Sequence, residues 1–494
     1  MSVYQPEAPP RLGWEMAKRF AIGAVIIVML SATAVASAVL LEVHDAINII
    51  EKESVPIPGI GTVLDDVRAG EPKTILVLGS DRRFGDGKGS TPRSDTIILV
   101  RLDPEKGATA IMSLPRDLKV DIPGHGTDKI NAAYANGGPK LTVRTVRQLL
   151  GIKINHVINV NFGGFQRAVN RLGCVYTDID RRYFNDKGGP GGYATINLQP
   201  GYQRLCGKDS LDYVRFRHTD SDFVRAARQQ EFLRQAKDQF GLGKVFGDRD
   251  ELLKIFGRYT QTDIAQKNDA AILSLIRLAY ESSKNPLTEI PVPANVSGEY
   301  VEISFEDLSR TVDRFIDVKG RTKGQKGKDK PKPKKVRRKR GLAPGLVPRQ
   351  EQGENHVLNI ETKLPRSLPV YFPKAILARG GYDRDSPRMY TIRDRNKNRY
   401  KAYRIVLDKD DPSDPGQYYG VQGTTWKAAP ILDNPTDEVR MNDRTYQRYF
   451  DGGKIRMIAW KTPKAAYWVS NSLTRALTNR QMMDIARSLQ RIGQ

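Results

Sequence analysis

TILVLGSD at residues 74–81, TIILVRLD at 96–103 and ATAIMSLPRD at 108–117 are the stretches that decide the fold. Each is a short apolar run ending in turn-forming or charged residues, as a strand covered on both faces does. Outward from them the period changes. KLTVRTVRQLLG at 140–151 spaces its apolar residues for a helix and stops on glycine. HVINVNFGGFQRAVNRLG at 156–173 reads as strand, turn, helix and glycine stop. YVRFRH at 213–218 reads as a strand, and DFVRAARQQEFLRQAKDQF at 222–240 as a long amphipathic helix. Strands alternating with helices predict an α/β sandwich over residues 73–318.

The flanks set the compartment. The run from 21 to 41, AIGAVIIVMLSATAVASAVLL, carries no charge. As a helix it is about 30 Å long, the thickness of a hydrocarbon core. Arg11, Lys18 and Arg19 precede it, and Glu42 and Asp45 follow. That bias predicts a cytoplasmic N-terminus at 1–19, a single-pass anchor in the cell membrane at 20–41, and an extracytoplasmic remainder. A cleaved leader is the competing reading, because Ala34-Val35-Ala36 has the small-residue form of a cleavage site; the apolar run continues past it. Residues 42–72, with the Pro/Gly-rich VPIPGIG, read as a stalk. The two cysteines, Cys174 and Cys206, are expected to pair in an exported chain.

Net charge is +24, and half of it sits in one segment: residues 319–340 hold thirteen Lys/Arg and one Asp. With Pro and Gly and almost no apolar residue, 319–354 is expected to be a disordered basic linker. Aromatics return at 355–494, which predicts a smaller α+β domain with strands at KIRMIAW and AAYWVSNSL and a closing helix at QMMDIARSLQRI. Such charge calls for anionic partners. A nucleic-acid role needs the basic run in the cytosol, and the orientation of the anchor argues against it.

Three clusters carry candidate chemistry. Asp81 follows one strand with Arg82 and Arg83, and Asp95 opens the next beside Arg93. Two carboxylates at strand ends suit a hard divalent cation such as Mg²⁺, and equally suit turn capping. Arg116, in Ser113-Leu114-Pro115-Arg116-Asp117, either meets phosphate or pairs with Asp117. The third cluster is densest. On the strand reading Arg215 and Arg217 share one face, and on the following helix Arg225, Arg228 and Gln229 share another. Guanidiniums grip phosphate with two parallel donors and stay charged, so such crowding points to a pyrophosphate.

LGSDRR, RSDTIILV, SLPRD, DKINAAYANGG and the YVRFRH–DSDFVRAARQQ block, in that order and behind an anchor, resemble the LytR-CpsA-Psr family of cell-wall glycopolymer ligases. The resemblance implies a mixed-sheet α/β sandwich that buries a polyprenyl chain, with Mg²⁺ and pyrophosphate at the pocket mouth. It assigns Asp81 and Asp95 to the metal, and Arg83, Arg93 and Arg116 to the arginines around them. Arg215, Arg217, Arg225 and Gln229 fall in the phosphate-binding block. Arg82 doubles the arginine after Asp81, and Val224 stands where the family often has glycine. The implied activity moves a glycan phosphate from a polyprenyl-pyrophosphate carrier to peptidoglycan, with Asp117 or Asp222 as candidate bases. Its partners are that lipid-linked glycan, peptidoglycan and the membrane, and not nucleic acid. A polyprenyl-pyrophosphate pyrophosphatase needs the same residues, and a non-catalytic wall-binding regulator leaves them without a task.

Overall fold

The computed structural model describes residues 48–49, 52–66, 68, 70–80, 94–187, 195–216, 221–240, 248–264, 267, 269–283, 285, 287–318, 334–335, 341–411, 416–441 and 444–493. The anchor expected at 20–41 and nearly all of the basic run lie outside them. Among the described residues no helix is long and apolar enough to cross a membrane.

A seven-stranded mixed sheet is made by β1 (Val55–Pro56), β2 (Lys73–Ser80), β3 (Ser94–Asp103), β4 (Ala108–Leu114), β5 (His156–Asn161), β6 (Thr260–Thr262) and β7 (Leu287–Ile290), in the spatial order β1-β6-β5-β2-β3-β4-β7. Strand β2 runs parallel to β5 and antiparallel to β3, β3 is antiparallel to β4, and β7 is parallel to β4. Helices cover both faces, which is why the central runs are apolar throughout rather than alternating. On one face Leu76, Leu78, Leu99, Met112 and Val157 pack with α1 (Ile130–Leu150) and α7 (Phe305–Ile316). On the other, Ile75 and Leu102 pack with Ile272, Leu275 and Leu278 of α6 (Asp269–Ser283).

Local chemistry sets the helix bounds. Helix α1 breaks at Gly137 and Gly138 and restarts at Pro139, whose fixed φ suits a first helical turn. It ends where Gly151 turns left-handed and returns its N–H to Arg147 O. Asn161 closes β5 and caps α2 (Phe162–Arg171) by accepting from Gly164 N. Ser221 caps α4 (Asp222–Gln239) in the same way through Val224 N. Cys174 and Cys206 are disulfide-bonded, tying the start of the strand Val175–Ile179 to the N-cap of α3 (Gly207–Arg215).

Three expectations need correction. YVRFRH does not form a strand: Tyr213, Val214 and Arg215 are the last turn of α3. The buried residues Gly207, Ser210, Leu211 and Val214 follow i, i+3, i+4, i+7, and that longer period overrides the local alternation around Val214 and Phe216. The expected stalk joins the fold, since β1 pairs with β6 and Ile57, Ile60 and Val63 enter the core. The expected linker ends early, because Ala343 and Leu346 are buried before α8 (Gln350–Glu361) begins.

An eight-stranded sheet, antiparallel except for its edge pair at Lys334–Lys335, occupies the C-terminal part of the chain. Lys454–Lys461 and Ala466–Ser470 are neighbouring strands within it, and α9 (Asn479–Ser488) follows. Strand alternation sends Ile458, Trp460 and Val469 to the face covered by α8 and α9. Met457, Ala459 and Trp468 go to the opposite face, where they pack on Tyr176 and Tyr202 of the preceding α/β region.

Candidate active site

Register fixes where the site forms. Ser80 pairs with Asn161 on one side and with Ser94 on the other, and Ile97 pairs with Leu114. The ends of β2, β4 and β5 and the start of β3 therefore share one end of the sheet. Positions 95 and 116 belong to that end, and Asp81 is the next residue in the sequence after Ser80. Between Gly79–Thr96 and Ser80–Ser94 the ladder skips, which leaves Asp95 as the extra residue of a bulge. Bulges re-aim side chains and recur beside active sites. Ser94 Oγ braces this one, 2.9 Å from Thr96 O and 3.3 Å from Gly79 O. Gly79 itself has no room for a side chain: a Cβ there would lie 2.9 Å from the Thr96 Cβ.

Helices bring the third cluster to the same end. The Arg215 guanidinium, at the end of α3, stacks 3.8 Å over the ring of Phe162, the residue after Asn161. Gln229 Nε2 donates to Thr96 Oγ1 and to Val214 O, both at 3.1 Å, so its amide joins α4 to β3 and to α3. Arg225 is buried on the same helix at 4 % exposure. Arg228 does a different job from the one its sequence suggests. It is 0 % exposed and its Nη1 donates to Tyr213 O at 3.0 Å and Phe216 O at 2.8 Å. It closes the open carbonyls at the end of α3, with the Tyr183 ring 4.7 Å away. Arg116 lies with Nε 3.8 Å from Asp117 Oδ2.

The structure thus brings Arg215 and Gln229 to one sheet end with the backbone of Asp95, places Arg116 just beyond β4 at that end, and turns Arg228 inward. Asp81, Arg82, Arg83, Arg93 and Arg217 lie outside the described residues, and so does the side chain of Asp95. Sequence reading missed Phe162 as the platform for Arg215 and Thr96 as the partner of Gln229. The Asn-Phe-Gly-Gly junction was the available signal for Phe162; no local pattern pairs residues 133 positions apart.

An apolar lane leads away from the site. Val77, Val100 and Ile158 stay partly exposed although β2, β3 and β5 are interior strands, and Leu253 of α5 (Arg249–Tyr259) borders them. The lane continues to the sheet end through Val160, Gly79 and Thr96, which are also half-buried.

A model of the LytR_cpsA_psr family matches residues 35–314. The chain belongs to this family. Among LytR_cpsA_psr relatives, the polyisoprenyl-teichoic acid–peptidoglycan teichoic acid transferase TagU of Oceanobacillus iheyensis is 33% identical over 248 residues, covering 48% of this chain and 72% of that protein. TagT of Bacillus subtilis, with the same transferase name, is 32% identical over 204 residues, 41% of this chain and 63% of TagT. The regulatory protein MsrR of Staphylococcus aureus is 30% identical over 254 residues, 49% of this chain and 74% of MsrR. Among solved structures, TagV of B. subtilis is 26% identical with a TM-score of 0.40, over 50% of this chain and 97% of that one. The family member YwtF (TagT) with bound octaprenyl pyrophosphate lipid is 25% identical with a TM-score of 0.36, over 51% of this chain and 92% of that one. The family model ends at 314, so the eight-stranded sheet lies beyond it.

Proposed function

We propose that this chain is an extracytoplasmic phosphotransferase, anchored in the cell membrane by residues 20–41, that moves a glycan phosphate from a polyprenyl-pyrophosphate carrier to peptidoglycan. Family membership and the transferase names of its relatives support the reaction class. The observation that supports the reading is the convergence, at one sheet end, of the Asp95 bulge and position 116 with Arg215 and Gln229, beside a lane of partly buried apolar residues. A diphosphate at the sheet end and a prenyl tail along Val77, Ile158 and Val160 fit that geometry, since apolar burial favours the tail at roughly 25 cal/mol per Å².

Magnesium, or another hard divalent cation, is the cofactor that the pair Asp81 and Asp95 suits by residue type: Asp81 follows Ser80 in the sequence, and the backbone of Asp95 sits in the bulge beside Ser80. When bound, the cation neutralises phosphate charge. Arg215, with Arg217, Arg225, Arg83 and Arg93, serves the same task with guanidiniums that stay charged, so transfer depends on positioning and charge. The acceptor hydroxyl oxygen forms a bond to the glycan-bearing phosphorus. The bond from that phosphorus to the bridging oxygen breaks, and polyprenyl phosphate leaves. The hydroxyl proton passes to a carboxylate, for which the resemblance offers Asp117 or Asp222.

The test is product partition. Purified protein, given a short-chain prenyl-pyrophosphate glycan and peptidoglycan, should leave the glycan covalently on the wall through a phosphodiester. Glycan recovered only as free phosphate would show that water replaces the sugar hydroxyl and that the chain is a pyrophosphatase. Recovery of unchanged donor would remove the enzymatic reading altogether.

A further inference from the structure

Helix α4 carries Arg225 and Gln229 at the site end, and its second half runs into the C-terminal sheet. There Glu231 Oε2 accepts from Arg475 Nη2 at 2.6 Å and from Arg234 Nη2 at 2.7 Å, and Glu231 Oε1 accepts from Gln235 at 2.6 Å. Arg234 also pairs with Glu289 of β7, and Asp451 lies 3.7 Å from Arg234 and 3.5 Å from Arg475. The network therefore joins α4, the edge of the first sheet and the C-terminal sheet.

Arg475 is the unusual member. It is 7 % exposed, and its backbone is left-handed at φ 60°, a conformation disfavoured for a residue with a Cβ. Its Nη1 donates to Leu473 O at 2.8 Å and Ser472 O at 3.1 Å, which locks the turn that aims Nη2 at Glu231. Local strain of this kind persists where the surroundings over-determine it, and it concentrates at sites with a function. Buried ion pairs are weak stabilisers compared with apolar packing, but removing one partner leaves a buried charge uncompensated, so the partners are held to each other. A helix is stiff along its axis, so holding Glu231 also holds Gln229 two residues earlier, against Thr96.

We propose that Arg475 is a positioning residue: by gripping Glu231 it sets the placement of α4, and with it Arg225 and Gln229, at the phosphate end of the first sheet. The C-terminal sheet is on this account a clamp on the catalytic helix. The inference rests on the functional reading above for its kinetic arm only.

The experiment uses the full chain in detergent. Arg475→Gln and Arg475→Lys are compared with the parent by thermal unfolding, by hydrogen exchange of α4 amides, and by kcat and KM for the short-chain donor, all well below the unfolding temperature. Arg448→Ala serves as control, because it removes an ion pair to Asp437 in the same sheet without touching α4. The expected result for Arg475→Gln is faster exchange across residues 224–230 and a kcat at least tenfold lower per folded molecule, partly restored in Arg475→Lys, with Arg448→Ala like the parent. Glu231→Gln should reproduce the loss, and the double variant should be no worse than either single one. If Arg475→Gln does not fold, Arg475→Lys alone must show both effects. Unchanged exchange in α4, or a loss of kcat matched by Arg448→Ala, overturns the proposal. A parent that turns over no donor overturns the functional reading instead, and leaves the exchange arm to decide the clamp.

Discussion

Arg215 stands over the Phe162 ring at 3.8 Å, a cation–π contact that holds its guanidinium at the sheet end. Arg215→Ala should lower transfer by roughly 30- to 160-fold, the equivalent of about 2–3 kcal/mol for one charge-assisted contact made in the transition state. Lysine should restore only part, having charge but no fork. Thermal unfolding measured on the same samples should change little; a large drop in melting temperature with normal turnover per folded molecule would make Arg215 structural. Arg217→Ala should behave in the same way. A second prediction concerns pH. Burial pushes the Glu289 carboxyl up to about 8, against the pull of Arg234 and with repulsion from Asp451 added. Burial also raises Glu231, but Arg234 and Arg475 more than reverse it, and its carboxyl ends well below the usual range. The two acids share Arg234 and move in opposite directions because Glu231 also holds Arg475. Between the ordinary glutamate value and about 8, folded Glu289 keeps a proton that the unfolded chain has lost. Its stabilising share is therefore complete at low pH and is lost as pH rises through about 8. Unfolding free energy measured from pH 5 to 9 should fall in the parent and flatten in Glu289→Gln; parallel curves would contradict a protonated Glu289. The residue types of the site were legible in the sequence, and the pairings were not. Arg215 and Gln229 stand in a basic block anyone can count, whereas Glu231 and Arg475 are 244 positions apart and meet only through the packing of two sheets.

Elements follow the same division. Strands β2, β3 and β4 were readable because burial on both faces writes an unbroken apolar run, and α4 because its eighteen residues hold no Gly or Pro and follow a Ser cap. The misreading at 213–218 came from judging six residues alone. The helical period there starts at Gly207, whose N–H donates to Asn170 Oδ1 at 2.8 Å, next to the disulfide-bonded N-cap Cys206. Reducing that bond, or Cys174→Ala with Cys206→Ala, should destabilise the protein by about 3 kcal/mol, because the bond closes a loop between residues 32 apart. Equal denaturant midpoints with and without reductant would contradict this. The bulge between β2 and β3 makes a sharper element-level prediction. In Gly79→Ala the new methyl meets the Thr96 side chain, which cannot retreat without releasing Gln229. The variant should lose transfer at least tenfold while retaining most of its stability; full activity would mean that the Thr96–Gln229 link is dispensable.

For the molecule as a whole, charge and scaffold separate. Half of the +24 sits at 319–340, between the α/β region and the C-terminal sheet in the sequence. Deleting 319–333 should leave turnover of a short-chain donor intact and weaken adhesion to anionic wall polymer. In the parent that adhesion should fade as salt shrinks the Debye length to about 3 Å near 1 M; lost turnover in the deletion would place the segment in the chemistry. Composition made this run legible at once, whereas the apolar lane is visible only in three dimensions, since Val77, Ile158 and Val160 look like any core residues in the sequence. The central claim is that the sheet end and the lane together form a site for a prenyl pyrophosphate. A structure of the protein with such a lipid bound tests it most directly. The account predicts the diphosphate at the shared end of β2, β3, β4 and β5, within hydrogen-bonding distance of Arg215, and the tail along Val77, Ile158 and Val160. A diphosphate at the opposite end of the sheet, or a tail lying outside that lane, would contradict it.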